Sequence, residues 1–149
     1  MDEWKQLIAA GNYQYSAENY QSALAMYDKS LNCILKDFSQ QLELDPHGAI
    51  AAVLISYFNL ADTYADQSKF EQAAEQFEQA YRFVLGLVAS TFVTEEISLA
   101  LVKSVSRLDL EWTDFIKRAA KQLPAEHLQL YASAKRILAG KGDQTLTLH

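Results

Sequence analysis

Residues whose side chains could do chemistry are few and lie far apart. The chain has three histidines, His47, His127 and His149, and one cysteine, Cys33. Only His127 has an acid directly beside it, Glu126, and an imidazole next to a carboxylate could supply half of a metal site. One acid beside one histidine is more often a solvated surface pair, and the histidines are isolated from one another in sequence. We therefore predict no metal site, no cofactor and no catalytic residue.

Sequence motifs of enzymes are absent as well. The chain contains no Gly-rich phosphate loop and no nucleophile elbow, and no acid, base and nucleophile can be assembled into a set. A single cysteine excludes an intrachain disulfide and a thiolate metal cluster. Cys33 lies on an apolar helical stripe, which indicates a small core residue. These observations predict a protein that is not an enzyme.

The amino-acid composition favours helices. The chain has 149 residues, of which 50% are hydrophobic and 21% charged, as is typical of one globular domain. Gly and Pro total only 7 residues, too few for a barrel or sandwich of many short strands. Residues that suit helices (21 Ala, 20 Leu and 12 Gln) far outnumber the β-branched 6 Val and 7 Ile. The composition predicts an all-α fold.

The charge balance excludes several classes of partner. A net charge of -6 disfavours nucleic acid and anionic membranes, because both need clustered Lys and Arg. The longest apolar stretch, residues 49–61, is shorter than the roughly 18 to 20 residues that span a bilayer. The acidic start Met1 to Trp4 does not resemble a signal peptide. We expect a cytoplasmic protein that binds neither nucleic acid nor membrane.

Proline and glycine mark the clearest helix boundaries. Asp45 followed by Pro46 predicts a helix start, since the carboxylate caps first-turn amides and proline lacks an amide. Pro124 marks a second boundary, and Gly140 with Gly142 predicts the end of the last helix. Weaker boundaries lie at 16–19, 67–69 and 90–94.

Apolar residues recur at helical spacing between these boundaries. Thr94 to Gln122 contains no Gly or Pro, so we predict one long helix there, with a break near Asp109 as the alternative. About six helices result, most of them longer than average.

A weak internal repeat has a period of 50 residues. A shift by this amount superposes small residues on small ones and aromatic residues on aromatic ones, and the pairs are Gly11 with Ala61, Tyr20 with Phe70, Ala23 with Ala73, and Tyr27 with Phe77. The small residue lets two helices approach closely and the aromatic side chains fill the space around the contact. The pattern predicts two copies of a helical hairpin.

Both copies resemble the tetratricopeptide repeat, a helix-turn-helix unit of 34 residues. The resemblance covers residues 7–34 and 57–84 and rests on the small and aromatic positions of each copy, namely Leu7, Gly11, Tyr20, Ala23 and Tyr27, and Leu60, Ala61, Tyr64, Phe70, Ala73, Phe77 and Ala80. The copies lie 50 residues apart instead of 34, and Ser30 replaces a usual alanine. The extra residues fit as additional helical turns around Asp45 and Pro46.

The resemblance implies a single domain over residues 1–139, in which antiparallel helix pairs form a right-handed superhelical stack. Repeat one would span about 2–44 and repeat two about 46–90. Helices over about 94–139 would supply a third, capping layer, because such units need about three copies to bury a core. Residues 140–149 would form a C-terminal tail.

Tetratricopeptide repeats bind peptides or helices in a concave groove that the first helix of each repeat lines, so the resemblance implies groove positions here. The candidates to contact a partner are Lys5, Asn12, Tyr15, Asn59, Asp62 and Asp66, with the neighbouring Ile8, Ala9, Ser16, Ile55 and Phe58. Asparagine amides can hold a peptide backbone, and the aspartates set the charge that a ligand must match.

A ligand of basic or neutral charge fits these positions better than a carboxylate. Asn12 and Asn59 match two asparagines of repeats that clamp a C-terminal carboxylate, but the clamp's lysine is Ile8 here. Residues 1–90 carry 5 Lys or Arg against 12 Asp or Glu, a net charge of -7.

Two functions follow from these observations as predictions. The first is a non-enzymatic adaptor or small chaperone that binds a peptide or helix of another protein in the groove. The alternative is a self-associating structural protein, in which apolar helix faces pair in a homodimer.

Overall fold

The computed structural model describes the backbone of residues 1–90 and 93–147 and the side chains of residues 1–90 and 93–140. These residues form seven α-helices and one short 3₁₀-helix (Ala120–Gln122), and they contain no strand. The α-helices are α1 Asp2–Ser16, α2 Tyr20–Lys36, α3 Phe38–Leu44, α4 Pro46–Asp66, α5 Phe70–Val88, α6 Glu95–Ala119 and α7 Ala125–Thr147. The predicted all-α fold is confirmed. None of the described helices combines the length and apolarity that a membrane crossing needs.

Local capping explains two of the helix starts. The Asp45 side chain accepts a hydrogen bond from the Gly48 amide at 3.0 Å, and Pro46 opens α4 as predicted. Thr94 caps α6 in the same way, with 3.2 Å between its Oγ1 and the Ile97 amide nitrogen. From there α6 runs through Asp109 without a break. The prediction of one long helix is therefore confirmed.

The described residues form one helix more than the apolar pattern predicts. The stripe that begins at Tyr20 continues to Phe38, but α2 ends at Lys36 and Asp37 leaves helical geometry, with φ -107° and ψ 20°. The bend places Phe38 in α3, where its ring packs edge-on against Phe83 of α5 at 5.2 Å between centroids. A tertiary contact therefore divides the elongated helix that the sequence predicts.

The predicted end of the last helix at Gly140 and Gly142 is wrong, because α7 continues to Thr147. Glycine inside a helix costs roughly 1 kcal/mol relative to alanine, which weakens a helix without ending it. A glycine ends a helix when it adopts positive φ, and none of the described glycines does so. Most of the predicted tail is thus helical backbone, and residues 148–149 lie outside the described part of the chain.

Two turns of the fold have the same conformation 50 residues apart. Glu18, between α1 and α2, has φ 61°, and Ser68, between α4 and α5, has φ 60°. In each turn the next residue's amide donates to the carbonyl five residues earlier, at 2.9 Å. The backbone therefore repeats with the period that the side-chain pattern shows.

The helices pack as three successive antiparallel pairs, α1 with α2, α4 with α5, and α6 with α7. The second helix of each pair also packs against the first helix of the next, α2 on α4 and α5 on α6. The first helices run in the same direction. Trp4 and Tyr15 of α1 bond Ser56 and Asp66 of α4 in that order. Arg107 and Arg118 of α6 contact Phe58 and Asp66 of α4, again in that order. We call the surface that these helices share the α1–α4–α6 face.

Aromatic side chains fill the core between the second and third pairs. Trp112 of α6 is 1% exposed and stacks with Phe77 of α5, with 6.3 Å between ring centroids. Phe115 lies 5.1 Å from Phe77, and Tyr131 of α7 contacts Trp112 edge-on at 5.4 Å. This cluster fixes α6 against α5, and with it the geometry of the face that α4 and α6 share.

Candidate partner-binding face

Two of the predicted site residues, Tyr15 and Asp66, meet Arg118 where the helices of the α1–α4–α6 face end. The Tyr15 hydroxyl of α1 donates a hydrogen bond to Asp66 Oδ2 of α4. From α6, Arg118 Nη2 donates to Asp66 Oδ1 at 3.1 Å and to the Ala65 carbonyl at 3.2 Å. The bond to Asp66, together with burial, raises the pKa of Tyr15. Asp66 therefore fastens three helices at one point.

The chain supplies a cation for Asp66 from within the fold, since Arg118 Nη2 lies 3.1 Å from Asp66 Oδ1. The sequence predicts that Asp66 meets a cation of the ligand, and contact with a partner stays a prediction. An exposed ion pair of this kind contributes little to stability, typically below about 1 kcal/mol. Its effect here is on position, because it holds the end of α6 beside α4.

Asp62, one turn before Asp66, is different. Its carboxylate forms no hydrogen bond or ion pair with the residues that the structure describes. The side chain is exposed on one side and crowded by protein on the other. Partial loss of hydration, followed by the negative charges of Glu111 and Asp66, raises the pKa of Asp62 to about 6, while Arg118 opposes the shift. Asp62 is thus an acid whose surroundings would favour an additional cation.

Asn12 joins this group indirectly. Its Oδ1 accepts a hydrogen bond from the buried Tyr27 hydroxyl of α2 at 2.6 Å. Burial, and then the negative charge of Asp62, raise the pKa of Tyr27. The amide oxygen of Asn12 is therefore used within the fold, and its amide nitrogen is the part available to a ligand.

The structure separates Lys5 and Asn59 from these contacts. Lys5 is exposed on α1, ten residues before Tyr15, which is about 15 Å along a helix axis. Asn59 is half-buried on α4, and its described hydrogen bond is made by the backbone carbonyl, which accepts from Thr63 Oγ1 at 2.7 Å. Partner binding by these two side chains stays a prediction.

A groove lies between α4 and α6 beside the acidic group. Its volume is about 310 Å³. An apolar floor and a polar rim from both helices line it, namely Ala51, Leu54, Ile55, Phe58 and Ala100 for the floor, and His47, Lys103, Ser104 and Arg107 for the rim. Ile55 and Phe58 are two of the positions that the resemblance implies. The contribution of α6 was missed, since no third copy of the repeat aligns there.

Arg107 shapes one wall of the groove. Its guanidinium lies over the Phe58 ring, 5.7 Å from the centroid, and its Nε donates to Glu111 Oε1 at 3.1 Å. Lys103, Arg107 and Glu111 follow one another at intervals of four residues on the polar side of α6. That spacing is the signal from which the sequence could have predicted these residues.

The apolar floor ends at a pair of acids. Asp62 follows Phe58 by one turn on α4, and Glu111 follows Arg107 by one turn on α6. Because the two helices are parallel, each step advances about 6 Å in the same direction. An extended or helical segment lying in the groove would therefore meet apolar side chains first and carboxylates one turn later.

A second cluster of titratable groups lies between α5 and α7. His127 is only 11% exposed at its side chain, so it does not form the solvated pair with Glu126 that the sequence predicts. Its Nδ1 is 2.7 Å from Oε2 of the buried Glu78, and its Nε2 is 3.5 Å from Glu71 and 3.9 Å from Glu126. The hydrogen bond to Glu78 raises the pKa of His127, and burial opposes it. Glu71 and Glu78 lie about 50 residues earlier in the sequence, so no local pattern links them to His127.

Comparison with known proteins places the chain in a family. A family model described as DUF2753, protein of unknown function, matches residues 2–140. The chain belongs to the DUF2753 family. No curated protein and no solved structure matches it. The DUF2753 region contains both the groove between α4 and α6 and the cluster around His127.

Proposed function

We propose that this DUF2753 protein is a non-enzymatic binding module that holds a peptide or helix of a partner protein on its α1–α4–α6 face. The observation that carries the proposal is the groove between α4 and α6, whose apolar floor ends at Asp62 and Glu111. Concave sites that are mostly apolar with a few polar groups are the usual form of a binding site. An adaptor or a small chaperone would use such a site.

A tetratricopeptide-like stack, including its right-handed superhelix, is part of the same proposal. The matching turns at Glu18 and Ser68 support it, as do three first helices that run in one direction. We also propose a cytoplasmic location, which the single cysteine supports because no disulfide can form within the chain.

The chemistry of the groove selects the partner segment. Apolar side chains on the floor favour an aromatic or aliphatic residue, which would lose its contact with water there. Asp62, which makes no ion pair with the described residues, favours Lys or Arg. The apolar and the basic residue of the partner would be one helical turn apart, because Phe58 and Asp62 lie one turn apart on α4.

The rim charges set the direction of the segment. His47 and Lys103 lie toward the start of the groove, and the carboxylates lie at its end. A partner segment with its acidic residues toward Lys103 and its basic residue at Asp62 would match both ends. The reversed segment would place like charges against each other.

Fluorescence anisotropy with labelled helical peptides tests the proposal. One 12-residue peptide carries Phe and Lys four positions apart, a second replaces its Lys by Glu, and a third replaces its Phe by Ser. The Phe and Lys peptide should bind most tightly. Ala51→Trp, which fills the groove from an exposed position, should weaken binding at least about tenfold.

The matched control is Ala25→Trp, an equal change at an exposed position of α2, and it should bind like the unchanged protein. Equal affinities for the three peptides, or an unaffected Ala51→Trp variant, would contradict the proposal. Sedimentation over a range of concentrations completes the test, because a dimer that Ala51→Trp disrupts would show that a second copy occupies the groove.

A further inference from the structure

The cluster between α5 and α7 brings together three side chains that ligate metals. Glu71 lies in the first turn of α5, and Glu126 and His127 lie in the first turn of α7. One ligand atom from each, a carboxylate oxygen or the imidazole Nε2, lies within 4.8 Å of the other two. None of them belongs to the α1–α4–α6 face, so partner binding does not explain their arrangement.

A fourth residue, Glu78, fixes the imidazole in the orientation that a metal requires. It follows Glu71 by two turns on the same side of α5, and its buried carboxylate lies 2.7 Å from His127 Nδ1. The other ring nitrogen, Nε2, then faces Glu71 and Glu126. Metal-binding histidines commonly have this carboxylate partner, which sets the tautomer and raises the basicity of the ligating nitrogen.

We propose that His127, Glu71 and Glu126 form a binding site for a divalent transition metal of the Zn²⁺ type. Tetrahedral ligands about 2.1 Å from zinc lie about 3.4 Å from each other. The distances from Nε2 to the two carboxylates, 3.5 Å and 3.9 Å, are already near this value. Both glutamates are exposed, so small rotations of their side chains suffice to close the site.

The donor set also determines which ions fit. One imidazole nitrogen with two carboxylate oxygens suits zinc and its neighbours, whereas Mg²⁺ and Ca²⁺ prefer oxygen ligands alone. Three protein ligands leave a fourth position, which faces solvent beside Glu71 and Glu126 and would hold water. Because the ligands come from two helices, the ion would fasten α7 to α5.

Isothermal titration calorimetry of the full chain tests the site, with ZnCl₂ as the probe and MgCl₂ as the comparison. We expect one Zn²⁺ per chain and no binding of Mg²⁺ at the same concentrations. The double variant Glu71→Gln with Glu126→Gln, and separately His127→Ala, should each weaken zinc binding at least about tenfold. Glu78→Gln, which removes the positioning carboxylate, should weaken it roughly 10- to 100-fold.

A matched control and a second readout keep the result interpretable. His47→Ala removes a histidine far from the cluster and should bind zinc as the unchanged protein does. Zinc should raise the thermal midpoint of the unchanged protein and of His47→Ala, but not that of the double variant. If His127→Ala fails to fold, the double glutamine variant provides the test. Both glutamates are exposed, so their substitution should leave the fold intact.

Failure of the unchanged chain to bind zinc would overturn the proposal. Zinc affinity that is unchanged in the double glutamine variant would also overturn it, since the ion would then bind elsewhere. Loss of zinc binding in His47→Ala would have the same meaning.

Discussion

The two sides of α4 differ in how they meet their neighbours. On the side of α1 and α2, buried hydrogen bonds cross an apolar contact, with Trp4 Nε1 donating to Ser56 Oγ at 2.9 Å and Ser30 Oγ 3.2 Å from the same hydroxyl. On the side of α6, large aromatic side chains fill the core, and the groove lies above them. Large side chains lie on both sides of α4, so the difference is that the first contact is closed by buried hydrogen bonds while the second leaves a groove. The first contact therefore acts as structure, and the second is the candidate binding site.

The hydrogen-bonded contact is specific because its polar groups are buried. Ser30 and Ser56 are both 0% exposed, and each also bonds a backbone carbonyl. A buried hydroxyl without a partner would cost roughly 1 to 3 kcal/mol, so this network fixes how α2 lies on α4.

The largest effect should come from the aromatic side of the comparison. Trp112→Ala removes a side chain that is 1% exposed and contacts Phe77, Tyr81 and Tyr131, so it should cost about 3 to 5 kcal/mol in chemical denaturation. Leu110→Ala, at a position 58% exposed on the same helix, should change the free energy of unfolding by less than about 0.5 kcal/mol. Similar losses in the two variants would show that the aromatic cluster does not hold α6 in place.

The next effect tests the close packing of α1 on α2, the helix pair that adjoins the hydrogen-bonded side of α4. A Cβ at Gly11 would lie 2.5 Å from Tyr27 Cε1, and Tyr27 is buried, so Gly11→Ala should cost about 1 to 3 kcal/mol. Gly86→Ala is the matched control, because nothing lies within 4 Å of its Cβ position. The free energy of unfolding of Gly86→Ala should rise by about 0.5 to 1 kcal/mol, because alanine has the better helix propensity. A gain for Gly11→Ala as well would contradict the close approach of α1 to α2.

A smaller effect concerns Asp62 and depends on pH. Because the folded protein raises this pKa from 3.8 to about 6, it binds the proton more tightly than the unfolded chain does. The ionised carboxylate thus lowers stability as pH rises from about 4 to 6, and the cost persists above that range. Asp62→Asn should therefore stabilise the fold at pH 8, by less than about 1 kcal/mol after discounting for solvent screening.

Denaturation at pH 4 and pH 8 measures this dependence, since the gain should nearly vanish at the lower pH. Asp28→Asn, at an exposed position of α2, is the matched control and should show no comparable dependence. A gain of the same size at both pH values would rule out titration of Asp62 as its cause.

The smallest effect concerns the turns, where the two repeats are alike. Glu18 and Ser68 adopt positive φ. This conformation is higher in free energy for a residue with a side chain than for glycine. Glu18→Gly and Ser68→Gly should each stabilise the fold by about 0.5 kcal/mol, and by similar amounts. Ala17→Gly, beside the first turn at φ -84°, should instead be destabilising. Unequal gains in thermal or chemical denaturation would show that the two turns differ in strain.

Local signals made much of the fold predictable. The start of α4 depends on Asp45 and Pro46, which are adjacent, and the length of α6 depends on an uninterrupted apolar stripe. The bend at Asp37 could not be predicted, because it is fixed by the contact of Phe38 with Phe83, 45 residues away.

The candidate site, too, was predictable only where its residues lie close together in sequence. That Asp62 and Asp66 share a helix face follows from their spacing of four residues. That Arg118 neutralises Asp66 and leaves Asp62 without an ion pair among the described residues depends on a contact across 52 residues. The ligand set around His127 likewise joins α5 to α7, so only the folded chain shows it.

A double-mutant cycle tests the central claim most directly, namely that a cation of the partner meets Asp62 at the end of the groove. Anisotropy gives the affinities of the unchanged protein and of Asp62→Asn, each for the Phe and Lys peptide and for its Lys→Gln counterpart. We expect a coupling energy of about 0.5 to 1 kcal/mol between Asp62→Asn in the protein and Lys→Gln in the peptide. Once either substitution is made, the other should weaken binding little. Additive losses at pH 8, with no coupling, would contradict the claim and place the partner's cation elsewhere.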